Sequence, residues 1–352
     1  MSLQSRLLTD TVQLAAHQHV LFLNSAADPF VASAARQLRT GSITLAEDNI
    51  ASLHLAIQEL ERSSAQLARL HHLAFHEYTS HMPAGTMDIA IMNILYQPGK
   101  PWILYGLQLA TYALKPGGLL YVLGAKDRGI LSVAKHMQET FGNVETLAIS
   151  KGQRVVRSRK VEGTPLVTAS SGGTNIHDPL ASLLPFVFAD GKLDEGTHLL
   201  LDALEVFPND TALDIGCGAG FLGLQIAGVA VRGYVTMVDV SLATVAVAQR
   251  RVTESGLTNI IVLPSDGAQA VLQERFDLVV TNPPFHQGGI QTTAIAERFI
   301  REAARVLRPR GRFYLVANRF LKYEPTLRTY FKQLDEVGGN TRYKVLLATS
   351  PH

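Results

Sequence analysis

The chain has one cysteine and one tryptophan in 352 residues. A lone thiol, Cys217, excludes an intrachain disulfide and any zinc or iron–sulfur site built on several thiolates. It suits a reducing compartment. No apolar run reaches the roughly 20 residues of a membrane span before Gly, Pro or charge interrupts it. The opening MSLQSRLLTD lacks the apolar core of a secretory signal, so a cytoplasmic protein without a membrane partner is expected. Charge is sparse, at 18% of residues and a net +2; a nucleic-acid partner would need a clustered basic patch. There is no G-K-[ST], which excludes a phosphate-binding P-loop. His71, His72, His76 and His81 crowd one stretch, with His72 and His76 expected one turn apart on a helix. Without a nearby cysteine or an H-E-x-x-H they read as a solvated or packed face, and no metal is expected.

Hydrophobic residues make up 47% of the chain, enough for two buried cores. Two regions echo each other at an offset of about 190 residues. DIAIMN at 88–93 matches DLVVTN at 277–282, LKPGGLLYVL at 114–123 matches LRPRGRFYLV at 307–316, and GSITLAED at 41–48 matches GYVTMVDV at 233–240. The pattern predicts two tandem α/β domains, 1–165 and 186–352. Residues 166–185 form the linker, within a stretch rich in Gly, Ser, Thr and Pro. The halves differ where chemistry would sit. TALDIGCGAGFLG at 211–223 faces HVLFLNSAADPF at 19–30, and NPPF at 282–285 faces NILY at 93–96. The first copy keeps the fold signal and loses the site signal.

The strand Ala212–Ile215 should run into the loop Gly216-Cys217-Gly218-Ala219-Gly220, with a helix from about Phe221. Glycine lets a ligand approach backbone that a Cβ would shield, and such loops bind nucleotide-like ligands in doubly wound sheets. The spacing is G-x-G-x-G, which departs from the dinucleotide fingerprint. The next strand, Tyr234–Val238, ends in Asp239, placed to accept both ribose hydroxyls. A third, Asn259–Leu263, leads to Ser265-Asp266-Gly267, where Asp266 can accept from an adenine amine. The ordered set fits an adenosine with a non-phosphate tail. Cys217, with no activating base beside it, reads as a packing residue.

A fourth strand, Phe276–Thr281, precedes Asn282-Pro283-Pro284-Phe285. An exocyclic base amine is a poor nucleophile because its lone pair is delocalised. What it needs is its N–H bonds held so that the lone pair faces the electrophile. The Asn282 oxygen can accept one N–H and the Pro283 carbonyl the other, and both stabilise the positive charge that develops. Pro283 and Pro284 stiffen the loop, and Phe285 can stack on a flipped base.

These residues resemble the class I S-adenosylmethionine-dependent methyltransferases, within them the amino-methylating branch with N-P-P-[FYW]. The closer resemblance is to the ribosomal RNA guanine-N2 methyltransferases of the RsmC type. It implies two tandem Rossmann-like domains, the N-terminal one degenerate, and S-adenosyl-L-methionine as cofactor. The implied reaction is methylation of a guanine N2 amine, in 16S ribosomal RNA first. It implies cofactor roles for Asp214, Gly216, Gly218 and Asp239, beside Gly220 and Asp266 from the loop and strand pattern above, and a methyl-transfer role for Asn282 to Phe285. FVFADGKLDEGTHLLL at 186–201 resembles the family's entry to the catalytic domain, which puts Asp194, Gly196 and Thr197 near the methionine end. Alternatives are a large-subunit RNA target, glutamine-N5 or adenine-N6 methylation, and a non-catalytic RNA-binding assembly factor. The duplicated N-terminal half disfavours the glutamine and adenine enzymes.

The expected partner is ribosomal RNA or the small subunit, met by a monomer. Lys151, Arg154, Arg157, Arg159 and Lys160 form a basic run able to hold phosphates. So do Arg298, Arg301, Arg305, Arg308, Arg310 and Arg312, with Arg319 and Lys322 beyond. A solvated face is the plainer reading of each run.

Overall fold

The computed structural model describes residues 3–62, 69–164, 194–284, 286–287, 290–291 and 293–352. Two compact units divide the chain, Met1–Pro185 and Phe186–His352. The expected linker, 166–185, lies outside the described residues. In the first unit the strands are β1 (His19–Leu23), β2 (Ser42–Glu47), β3 (Leu70–Ala74), β4 (Met87–Asn93), β5 (Leu114–Ala125), β6 (Glu145–Ser150) and β7 (Gln153–Arg159). In the second they are β8 (Thr211–Ile215), β9 (Tyr234–Asp239), β10 (Ile260–Pro264) and β11 (Phe276–Thr281). After the two-residue pair β12 (His286–Gln287) and β13 (Ile290–Gln291) come β14 (Leu307–Asn318), β15 (Phe331–Gly339) and β16 (Tyr343–Pro351).

The sheets run β3-β2-β1-β4-β5-β7-β6 and β10-β9-β8-β11-β14-β16-β15, the same order twice. In each, the first five strands are parallel and the last two pair antiparallel. The central strands are apolar throughout because helices cover both faces. Leu213, Ile215, Val279 and Leu315 pack into one core, and their neighbours Ala212, Leu278, Val280 and Val316 into another. That is the period-two alternation of a strand buried on both sides.

The repeat extends to detail. Register shifts fall at Met87/Ile89 and at Phe276/Leu278. Asp88 accepts the His19 N–H (2.8 Å) and pairs with Lys115, while Asp277 accepts the Thr211 N–H (3.0 Å) and pairs with Arg308. A Cβ on Gly41 would stand 1.9 Å from the Gln18 carbonyl oxygen, and one on Gly233 1.8 Å from that of Asp210. Duplication accounts for this; two unrelated α/β domains would share the strand order but not these contacts.

One expectation is overturned. The segment carrying His71 and His72 is strand β3, not a helix, and pairs in parallel with β2 from Ile43↔Leu70 to Glu47↔Ala74. His76 lies in the following short turn of 3-10 helix, Phe75–Glu77. The open edge of β2 recruits the segment, and tertiary pairing prevails over local periodicity. β3 is itself an edge strand, and exposed histidines there are ordinary. Among the described residues no His, Cys, Asp and Glu cluster has metal-binding geometry. No described helix is long and apolar enough to cross a membrane.

Gly233→Ala should therefore cost about 2–4 kcal/mol by urea denaturation, because backbone must move. Gly228→Ala should be neutral or stabilising by up to about 1 kcal/mol. Gly228 is in the helix Phe221–Val229 and a Cβ there meets nothing within 4 Å. Equal costs at the two positions would contradict the contact.

Candidate functional site

The strand order of the second sheet reverses between β8 and β11, and the crevice beyond their carboxyl ends is where such sheets bind ligands. The glycine loop leaves β8 there, and the Asn-Pro-Pro segment leaves β11. Gly216, Gly218 and Gly220 have φ of +72°, +54° and +84°, conformations that favour glycine. The Gly216 and Cys217 N–H groups donate to the Val238 carbonyl (2.9 and 3.0 Å), fastening the loop to β9. Gly218 donates to Asp239 Oδ2 and Ser241 to Asp239 Oδ1, each at 3.0 Å. Each carboxylate oxygen keeps a lone pair, so the acid can also accept ribose hydroxyls.

A small cleft opens above the loop, lined by Asp194, Thr197, Gly216, Cys217, Gly218, Ala219, Phe221, Leu222 and Asn282. A Cβ on Gly218 would meet no atom within 4 Å; it would take up room at the cleft wall. Gly220 differs: a Cβ there would sit 3.3 Å from Met237 and 3.4 Å from Ala248. It turns the chain into the helix and packs inward. The cleft, the bare backbone and the half-used Asp239 carboxylate fit a bound adenosyl group.

Asp214 is fully buried at the end of β8. Its Oδ2 accepts the Gly223 N–H (3.1 Å), and its Oδ1 has no partner. Burial pushes its pKa up to about 7, against the Gly223 hydrogen bond that lowers it. Burial, then the negative charges of Asp239 and Asp214, holds the Cys217 thiol well above its usual range. Cys217 therefore packs as a neutral thiol.

On the transfer side, Asp194 caps the helix Glu195–Ala203, accepting the Thr197 N–H (2.9 Å) and the Thr197 hydroxyl (2.8 Å). Across the cleft the Asn282 amide Nδ2 donates to Asp194 Oδ1 (3.2 Å), Asp194 Oδ2 (3.1 Å) and Thr197 Oγ (3.0 Å). A carboxylate has no proton to give, so it selects the NH₂ end of the amide. The Asn282 oxygen is left facing away, with no protein partner among the described residues. Sequence reasoning assigned Asp194 and Thr197 to the methionine end and missed this clamp. The Asp-x-x-Thr helix cap was readable, but its contact 88 residues away was not. Asn282 follows β11 directly, Pro284 is exposed, and Phe285 lies outside the described residues.

Asp266, like Asp239, is not among the residues that line this cleft; it follows β10, the neighbour of β9, and can meet only a ligand that extends past Asp239. Its Oδ1 accepts from Arg298 (2.5 Å) and its side chain is 30% exposed. Other members of the second basic run are likewise paired. Arg308 bonds Asp277, Arg312 bonds Asp210 (2.6 Å) and lies over Phe207, and Arg319 bonds Glu336 (2.7 Å). Arg301, Arg305, Arg310 and Lys322 stand exposed. The first run is spread by strand alternation. Lys151 is in the hairpin turn, Arg157 pairs with Glu145 (2.7 Å), and Lys160 reaches the Leu114 carbonyl (2.7 Å). Arg157 and Arg159 come together in a shallow cavity with Asn143 and Glu145. Arg154 is not among its lining residues.

The first unit shows the same site filled. Glu47 stands where Asp239 does, accepting the Ala26 and Asn49 N–H groups (2.8 and 2.9 Å). Asn93, the counterpart of Asn282, donates to Asp28 (2.8 Å), but its oxygen accepts the Leu95 N–H (3.0 Å). Gln97 donates to the carbonyls of Leu23, Asn24 and Asn93. Asn24, Asp28, Asn93 and Gln97 are each 5% exposed or less. Side chains occupy the crevice that stays open in the second unit.

A family model described as the methyltransferase small domain matches residues 182–347. A protein of Shewanella loihica named ribosomal RNA small subunit methyltransferase C is 31% identical over 271 residues, 75% of this chain and 78% of that one. A protein of the same name from Pseudomonas entomophila is 34% identical over 254 residues, 70% and 76% of the two chains. Among solved structures, the Thermus thermophilus 16S rRNA N2 methyltransferase RsmC, in complex with AdoMet and guanosine, superposes with a TM-score of 0.78. Its identity is 28%, over 99% of this chain and 92% of that one.

The Asp214 environment carries a pH signature. Its acid sits at about 7 when folded against an ordinary 3.8. The folded chain thus holds that proton more tightly than the unfolded one. The contribution is full below about pH 4 and is lost as pH rises through 7. Melting temperatures should fall between about pH 5 and pH 8 less steeply in Asp214→Asn than in the parent. The raised Glu47 is common to both and cancels in the difference. Identical slopes would show that the Asp214 proton is not linked to folding.

Proposed function

The chain belongs to the ribosomal RNA small subunit methyltransferase C family, and we propose on that premise that it methylates the exocyclic N2 amine of a guanine in 16S ribosomal RNA. The observation that carries the reading is the clamped Asn282 amide. Its oxygen is presented as an acceptor by partners that themselves cannot donate to it. The Pro283 carbonyl supplies the second acceptor for a planar NH₂ group. Held by both, the amine points its lone pair out of the ring plane, and the charge growing on nitrogen meets two oxygen dipoles already in place. Pro284 limits loop motion, and Phe285 stacks on the flipped base.

S-adenosyl-L-methionine, when bound, supplies an electrophilic methyl on sulfonium. Gly216 and Gly218 give it bare backbone, Asp239 accepts its ribose hydroxyls, and Asp266 its adenine amine. Asp214 sets the strand end beneath the loop through the Gly223 N–H. Gly220 shapes the turn, while Asp194 and Thr197 act through Asn282 and border the cleft. The cofactor and transfer residues come from one copy of the chain, so a monomer suffices. The guanosine-bound relative is an N2 methyltransferase of guanine 1207 in 16S rRNA, and we assign the same target here, in the cytoplasm where that RNA resides. The N-terminal unit serves RNA docking or folding support. Exposed Arg301, Arg305 and Arg310, with Lys151, Arg157 and Arg159 on the first unit, supply phosphate contacts that weaken with salt.

Asn282→Ala should lower kcat by about 100-fold or more while leaving the affinity for S-adenosyl-L-methionine within about threefold by calorimetric titration. Undiminished turnover would reject the role. Mass mapping of 16S rRNA from cells with and without the protein should show one N2-methylguanine lost. An unchanged map would reject the target.

A further inference from the structure

The loop after β10, Ser265 to Ala270, is gripped from one side by the helix Ala294–Val306. Arg298 and Glu302 lie one turn apart on that helix, hence on one face. Glu302 is 5% exposed. Its Oε2 accepts the Ala268 N–H (2.8 Å) and its Oε1 accepts from Gln269 Nε2 (2.7 Å). A buried carboxylate is costly unless it is well bonded, and both bonds here go to this loop. Gly267 has φ +62°, and a Cβ on it would stand 2.1 Å from Glu302 Oε2. The glycine lets the loop close down on the carboxylate. Arg298 holds Asp266 by Oδ1 and leaves Oδ2 as an acceptor. At the loop's start, the Ser265 N–H donates to the Asp239 carbonyl (2.8 Å), tying it to the ribose-binding acid.

We propose that Glu302 and Arg298 are positioning residues that hold Asp266 and the Ala268 backbone in the shape that reads the purine of the cofactor, so that together they set its preference for adenine. The proposal rests on the functional reading above. A carboxylate oxygen accepts from the amine of adenine and repels the carbonyl that hypoxanthine carries at the same place. The discrimination therefore depends on where Asp266 is held. Glu302→Gln exchanges two charge-assisted bonds for neutral ones, even where Gln269 turns its own amide to accept from the new NH₂, so the loop is held less firmly. Arg298→Gln frees the Asp266 carboxylate directly.

The test is calorimetric titration of the full chain with S-adenosylhomocysteine and with its inosine counterpart. The parent should prefer the adenine ligand by about tenfold or more, the range of a hydrogen bond to a charged group. In Glu302→Gln and in Arg298→Gln the ratio should fall to within about threefold of unity. A merely structural role would weaken both ligands alike, leave the ratio unchanged and show in the melting temperature. An unchanged ratio in both variants overturns the proposal. So does a parent with no adenine preference. If Glu302→Gln fails to fold, the part-exposed Arg298→Gln decides alone. A parent that bound neither ligand would contradict the functional reading itself, a different failure from an unchanged ratio.

Discussion

A carboxylate accepts hydrogen bonds and cannot give them, and at Asp194 that asymmetry fixes the orientation of the Asn282 amide. An asparagine amide has two ends of nearly equal size, so packing alone would leave its orientation open. Three acceptor contacts on Nδ2, two of them from the carboxylate, settle it. Hydrogen bonds to a charged group are worth about 1.5–3 kcal/mol each at most sites, ample to favour one orientation by more than tenfold. The amide oxygen is then left with no protein partner among the described residues. Everything attributed to the Asn-Pro-Pro segment follows from that geometry.

The first unit shows what the same scaffold does without that demand. Strand order, register shifts, the paired acids at Asp88 and Asp277 and the close glycine contacts are common to both. The crevice is not. Asn93 keeps the donor half of the arrangement but gives its oxygen to its own backbone, and Gln97 fills the space with three hydrogen bonds. A satisfied buried network of this kind stabilises and rigidifies. The second unit instead leaves a cleft, an orphan Asp214 oxygen and an acceptor facing space. Groups with unused hydrogen-bonding capacity of this kind are what a ligand site requires.

Much of this was legible in the sequence because it is local. Apolar strands, the glycine loop, Asp239 at a strand end and the Asn-Pro-Pro segment each declare themselves within a few residues, and the echo between halves gave the repeated sheet. What depended on distant pairing was not legible. The histidine stretch read as helix, since nothing local revealed that β2 needed an edge partner. The arginines read as a phosphate-binding run or a solvated face, whereas Arg298, Arg308, Arg312 and Arg319 answer acids elsewhere in the fold. Nor did anything local reveal that a Cβ on Gly220 would meet Met237 and Ala248. Asp194 and Asn282 were both singled out, but only the fold shows that one acts on the other.

The most direct measurement of that relation is a double-mutant cycle in single-turnover methyl transfer, combining Asp194→Asn with Asn282→Ala. If Asp194 works by orienting the Asn282 amide, its replacement should slow transfer by about tenfold or more in the parent and have no further effect once Asn282 is gone. Full additivity of the two losses would contradict the account, because Asp194 would then act on the reaction without Asn282.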